Sequence, residues 1–238
     1  MTLITPDLIR ALNARHPRPD VAAAKLGAAF DRYGLSTPRV VAMAIAQLMH
    51  ESGLIPQEEN LSYRATRIRQ VWPSRFPTLA SAEAVAFNPR ALGDLVYSGR
   101  MGNGPSEGFA YRGRGMIQLT GKANYQTYGR LTGFDLVGQP DLLLQYGVSA
   151  LVAGAFWQSH GLNAPAERGD VLAVTRAING GTTGLDDRER LYQRALNRVP
   201  RYGLLGTDAP LDPQRDEAHD LDTREELYTR ALSALGAR

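Results

Sequence analysis

Cysteine is absent from the 238-residue chain. That excludes a disulfide framework, a thiol nucleophile and cysteine-ligated zinc or iron–sulfur sites. Lysine is nearly absent as well: Lys25 and Lys122 are the only two, so arginine supplies the other 25 of the 27 basic residues. No uninterrupted apolar run approaches the ~18 residues of a spanning helix, so stable membrane insertion is not expected. The opening residues MTLITPDLIRALNARHPRPD lack the basic start and apolar stretch of a secretory leader. The expectation is a protein made in the cytoplasm that reaches any extracellular target by another route. His16, His50, His160 and His219 are scattered, and no metal site is expected on them.

What is present suits a folded domain. Hydrophobic residues make up 43% and charged residues 21%, enough to bury a core. Residues 1–199 carry 22 basic and 16 acidic groups, whereas the segment from Pro200 carries five and eight. We read residues 1–199 as one domain and 200–238 as an acidic appendage with a short helix near 223–235. A mildly basic body favours approach to a polyanion such as an acidic cell wall. Nucleic acid is not the expected partner, because no basic stripe with interleaved aromatics is present.

The periodicity is mostly helical. Thr5-Pro6 and Thr37-Pro38 each pair an N-cap with proline at the first helical position. The first opens a short amphipathic helix through Leu8, Ile9 and Leu12. A second follows Pro19 and stops at Gly34, and a third runs from Arg39 to Glu51. Shorter helices are predicted over 63–72, 79–86 and 89–97, then over 122–131, 140–146, 148–159, 170–178 and 186–198. Residues 102–108 read as a loop and Met116–Leu119 as a short extended stretch. The expected class is mainly α with at most a small β element.

Three motif matches fail on context. Gly104-Pro-Ser-Glu-Gly108 has the letters of a serine-hydrolase elbow, which needs a strand before the serine and a helix after it. Gly115 to Lys122 resembles a phosphate loop with one residue too many and Ala123 where a hydroxyl should bind magnesium. His50-Glu51 is no zinc-protease helix, since Leu54 stands where the second histidine belongs.

A pair of carboxylates does carry chemistry. Val40, Ala44, Leu48 and Glu51 share one helix face, which places a carboxylate on an apolar stripe at a helix C-terminus. Desolvation and the negative helix end both disfavour its charged form, as a general acid requires. Glu58 and Glu59 follow in a polar loop, where a carboxylate should stay solvated and ionised, suited to activating water. Two carboxylates in contrasting surroundings are the minimum for glycosidic bond hydrolysis. Downstream, Gly113 and Gly115 permit close backbone approach, while Gln118, Thr120 and Asn124 offer neutral hydrogen-bonding groups that suit an amide-bearing sugar. Tyr63, Trp72 and Tyr111 are candidates for stacking on sugar rings, while Phe156-Trp157 reads as packing and Arg112 and Arg114 as structural braces.

Together, His50-Glu51-Ser52-Gly53, Glu59-Asn60, Tyr111–Gly115 with Ile117-Gln118-Leu119-Thr120-Gly121, and Ile178-Asn179-Gly180-Gly181 resemble the family 19 glycoside hydrolases. These are chitinases and, more closely, the related phage endolysins. The resemblance runs in order from about residue 36 to 196 and implies a lysozyme-like, two-lobed, mainly helical fold with a central cleft. It implies an inverting mechanism with Glu51 as general acid and Glu59 as general base, Glu58 remaining an alternative. It further implies Thr120 as a holder of the attacking water, Gln118, Asn124 and Asn179 as sugar contacts, and Arg188 as the arginine that orients the carboxylates, with Arg190 close enough to compete. His50 supports the acid beside it. No metal or organic cofactor is implied. The expected substrate is peptidoglycan, with chitin-like polysaccharide as the alternative and a non-catalytic glycan-binding module as the second. An endolysin of this kind acts as a monomer on the wall after release through a membrane pore.

Overall fold

The computed structural model describes residues 3–199, so the appendage expected over 200–238 and its helix lie outside the described residues. Within them the chain forms α1 (Pro6–Leu12), α2 (Pro19–Arg32), α3 (Pro38–Ser52), α4 (Ala65–Val71), α5 (Leu79–Glu83) and α6 (Pro89–Tyr97). There follow α7 (Lys122–Thr132), a 3-10 turn (Pro140–Leu144), α8 (Tyr146–Ser159), α9 (Asn163–Glu167), α10 (Val171–Asn179) and α11 (Leu185–Leu196). Both Thr-Pro starts form caps: Thr5 Oγ1 accepts the Leu8 N–H and Thr37 Oγ1 that of Val40, each at 3.2 Å. Such caps contribute about 1 kcal/mol each.

Two separate apolar cores divide the helices into lobes. In the larger, every residue of α3 from Val40 to Leu48 is buried. This helix is therefore enclosed on all sides rather than resting one stripe on a core, and the face chosen from the spacing was only part of its buried surface. The helix packs against α11 and α9, while α2 lies on α8, α1 on α2 and α7 on α8. The smaller core consists of Leu61, Ile68, Phe76, Ala82, Leu92 and Val96, from α4 to α6 and the segments around them.

The extended stretch expected at Met116–Leu119 is a tight turn instead. Arg114 and Leu119 exchange backbone hydrogen bonds of 3.1 and 2.9 Å, and Glu58 bridges to Arg114, with residues 115–118 turning between. Gly115 at φ +80° and Gln118 at φ +53° cannot extend a strand. The helix expected over 140–146 is a 3-10 turn, and α8 begins at Tyr146 rather than at 148. An unexpected helix, α9, contains Pro165, which falls in its first turn where no intrahelical N–H is required. Among the described residues no helix is long and apolar enough to cross a membrane.

Candidate active site

The end of α3 meets the first turn of α11, and five side chains pair across that contact. Arg188, only 2% exposed, donates to Glu51 Oε1 and to Oε1 of the fully buried Gln47. Gln47 in turn donates to Thr175 Oγ1 on α10 at 3.4 Å. One residue along on each helix, His50 Nδ1 lies 2.6 Å from Asp187 Oδ2. Because a carboxylate can only accept, that nitrogen carries the proton. The His50 hydrogen bond, with the charges of His50 and Arg190 behind it, holds the Asp187 carboxyl below its ordinary range. Arg190 is largely exposed and binds Asp187, not Glu51, so Arg188 alone of the two arginines touches the carboxylate of α3. The glycine at the start of α11 is required here: Gly184 has φ +74°, and a Cβ on it would stand 2.4 Å from Cε1 and Nε2 of His50.

The chain then leaves α3 through Gly53 (φ +66°) and is fastened at once. Asn13 donates to the Gly53 carbonyl at 2.9 Å and His16 Nε2 lies 3.1 Å from that of Leu54. Further on, Gly115 N–H donates to Gln57 O and Glu59 N–H to Gly113 O, both at 2.8 Å. These bonds hold Glu59 where the Tyr97 hydroxyl of α6 reaches its two oxygens at 2.9 and 3.0 Å.

Glu59 is not the solvated loop carboxylate that the sequence suggested. It is half-buried, and burial pushes its carboxyl above the ordinary value against the Tyr97 hydroxyl, the Gly113 N–H and the charge of Arg112. Tyr97 and Tyr63 are both raised in turn, first by burial and then by the nearby Glu59 charge. Its neighbour Glu58 is the solvated one, and it is engaged elsewhere. Arg112 binds its carboxylate, with Arg114 Nε 3.6 Å away. Both arginines are buried and braced, Arg112 over the Phe109 ring and Arg114 on the Ala110 carbonyl and the Tyr125 hydroxyl.

Gly113 is the point on which the rest converges. A Cβ there would lie 3.0 Å from Gln118 Oε1, 3.4 Å from Thr120 Oγ1 and 3.5 Å from Glu59 Cβ. Gln118 uses its amide N–H groups on the carbonyls of Gln57 and Gly115, leaving its oxygen uncommitted. Thr120 gives its hydroxyl proton to Gln118 O at 3.0 Å, which leaves the oxygen's lone pairs able to accept. Asn124 is exposed and donates to Thr120 O at 2.8 Å.

The structure does not bring every expected residue into this group. Tyr111 is 7% exposed, with its ring 5.3 Å from that of Tyr125 and its hydroxyl on Val137 O. It is a buried strut and offers no open face to a sugar. Asn179 is exposed at the end of α10, and no contact ties it to either carboxylate. Tyr63 and Trp72 are half-buried with centroids 6.1 Å apart on the small lobe, Tyr63 within electrostatic reach of Glu59. Two residues of the site escaped the sequence reading. Gln47 had a visible signal as the single polar residue in the apolar run of α3, whereas Tyr97 had none. Among the described residues no three His, Cys, Asp or Glu side chains gather as a metal site would need.

Comparison with known proteins identifies the family and the fold. Residues 93–237 match the family model described as chitinase class I, of glycoside hydrolase family 19. A family 19 domain-containing protein of Haemophilus influenzae is 36% identical over 175 residues, covering 72% of this chain and 85% of the relative. Chitinase 8 of rice is 38% identical over 96 residues, and there the chain spans about a third of the relative's length (40% of this chain, 32% of the relative). Chitinase C of Streptomyces griseus shares the fold with a TM-score of 0.57 at 17% identity, covering 84% of this chain and 93% of the other.

Proposed function

The chain belongs to the family 19 glycoside hydrolases, and from that premise we propose that it cleaves β-1,4 linkages between the N-acetylated sugars of bacterial peptidoglycan. In this reading Glu51 is the general acid and Glu59 the general base. The observation that supports this pair is that packing singles out these two carboxylates and tethers them differently, while which is acid and which is base follows the family resemblance. Glu51 is gripped by Arg188 at the end of an enclosed helix, whereas Glu59 is half-buried under a neutral hydroxyl. Glu58 is instead bound by Arg112, with Arg114 Nε 3.6 Å away.

The inverting reaction then follows. Glu51 delivers its proton to the glycosidic oxygen as the C1–O bond breaks. A water on the opposite face attacks C1 and passes its proton to Glu59. Thr120 and Gln118, whose oxygens converge with Glu59 about Gly113, are placed to accept the water's other hydrogen. One water is consumed, and the enzyme regains its starting state when the proton returns from Glu59 to Glu51 through solvent.

Chitin is the second reading, favoured by the likeness to plant chitinases. Release of reducing ends from purified peptidoglycan, beside a soluble chitin substrate, separates the two when wild type is compared with Glu51→Gln. That substitution keeps the shape and removes the transferable proton. Peptidoglycan cleavage lost on substitution is the expected result. Preference for chitin would move the assignment to a chitinase, and equal activity of the substituted protein would refute the role of Glu51.

A further inference from the structure

The positive charge of the described chain is not evenly spread. Residues 61–101, which build the small lobe, hold six arginines (Arg64, Arg67, Arg69, Arg75, Arg90, Arg100) and two acids, Glu83 and Asp94. The rest of residues 1–199 holds 16 basic and 14 acidic groups, close to balance. All six arginines are exposed. Among the described residues none of them forms an ion pair with a carboxylate; unpaired arginines occur elsewhere too, but there acids nearly balance them, whereas here six arginines face two acids. The local acid Asp94 is occupied by the N–H of Phe109 at 2.9 Å. Arg69, Arg75 and Arg100 reach only backbone carbonyls, at 3.4, 2.8 and 3.5 Å, and Arg90 lies over the Phe109 ring. Six like charges on about forty residues repel one another, and a bound polyanion would relieve that repulsion.

This face borders Glu59. Tyr97, which holds the Glu59 carboxylate, and Tyr63 both belong to the small lobe. Arg67 and Arg100 lie close enough to these two tyrosines to pull their hydroxyls down against the opposing effect of Glu59. A polymer whose own backbone is charged would carry its anions onto Glu59 and be repelled. Peptidoglycan is different, because its sugar chain is neutral and its carboxylates sit at the ends of peptide substituents to one side. Exposed positive side chains attract such carboxylates through their charge.

We infer that the exposed arginines of the small lobe, with Arg67 and Arg100 within reach of the two tyrosines and Arg64 next to Tyr63 in the chain, form a subsite for the carboxylates of the wall's peptide substituents. It rests on the peptidoglycan reading above and explains how a site of neutral hydrogen-bonding groups distinguishes that polymer from uncharged chitin. Charge, not shape, is the discriminating quantity, so lysine substitutes should serve where glutamine does not.

The test uses the full chain with Arg64, Arg67 and Arg100 replaced together by Gln or by Lys. Binding to purified peptidoglycan sacculi is measured by sedimentation in a Glu51→Gln background, and kcat/KM is measured separately on solubilised peptidoglycan and on neutral chitin oligosaccharides. The glutamine triple should weaken sacculus binding and kcat/KM on peptidoglycan about tenfold, at roughly two- to threefold per screened charge. The lysine triple should restore most of the loss, raised salt should erase the difference, and turnover of neutral oligosaccharides should stay unchanged. Equal loss on both polymers, unchanged sacculus binding, or arginine-dependent binding to single-stranded DNA without binding to sacculi would overturn it. Arginine-dependent sacculus binding without hydrolysis would sink the catalytic reading and uphold this one.

Discussion

Replacing Arg188 by Met tests the site and the fold at once. The thioether side chain fills much of the arginine stem's space but removes the guanidinium that Glu51 and Gln47 share. Breaking a buried ion pair from one side costs about 3–5 kcal/mol, because the remaining charge stays desolvated. The Glu51 side chain keeps 19% of its surface on water, which places the cost near the low end, about 3 kcal/mol. The Gln47 oxygen, fully buried and left without a donor, adds about 1 kcal/mol. For a domain of this size each kcal/mol lowers the melting temperature by roughly 2–4 °C, so Arg188→Met should melt roughly 8–16 °C below wild type. Glu51→Gln added to Arg188→Met removes the stranded charge. The double variant should therefore recover part of the loss, with a coupling of about 1–3 kcal/mol. Circular dichroism at 222 nm on the four proteins of the cycle measures it. Raising the salt should change the coupling little, since the pair is shielded from solvent ions. Additive effects of the two substitutions would refute the buried pairing between α3 and α11.

The remaining expectations concern Glu59 and Gly184. Because burial raises the Glu59 carboxyl above its unfolded value, the folded state favours the protonated form, and that stability is lost as pH rises through the folded value. Glu59→Gln should thus melt above wild type at neutral pH while abolishing turnover, and the difference should vanish once pH falls below the ordinary carboxylate value, about 4; a lower melting temperature at neutral pH would contradict it. Gly184→Ala meets both an unfavourable φ and the His50 ring, whereas Gly180→Ala meets the φ alone, with nothing within 4 Å. Both should lose about 1–2 kcal/mol for the left-handed backbone, and only Gly184→Ala should lose more than that and reduce kcat, as read by melting and turnover together.

The helices were legible because local rules decide them: Thr5-Pro6 and Thr37-Pro38 state their caps, and Gly53 states the end of α3. The turn at 115–118 was not, since only its left-handed residues and its bridges to Glu58 and Leu119 show that it cannot extend. Among the site residues, Glu51 stood out on its helix face and Arg188 through a motif resemblance, and their pairing became visible only once α11 lay along α3. Tyr111 carried the same aromatic signal as Tyr63, yet one is enclosed and the other borders the carboxylate, a distinction that depends on burial and not on residue type.

By itself, then, the sequence determined the mainly helical class, the positions of most helices, the absence of thiol chemistry and the candidate carboxylates, with Glu58 and Glu59 left as alternatives. Each follows from composition or from contacts within a few residues. The tertiary structure alone decided which carboxylate an arginine binds, which hydroxyl covers the other, and that Arg67 and Arg100 come within reach of the tyrosines beside it. Those facts join residues far apart in the chain, as Glu59 is from Tyr97 and Glu51 from Arg188. Only packing can bring such groups together, and their desolvation and pairing exist only after it has.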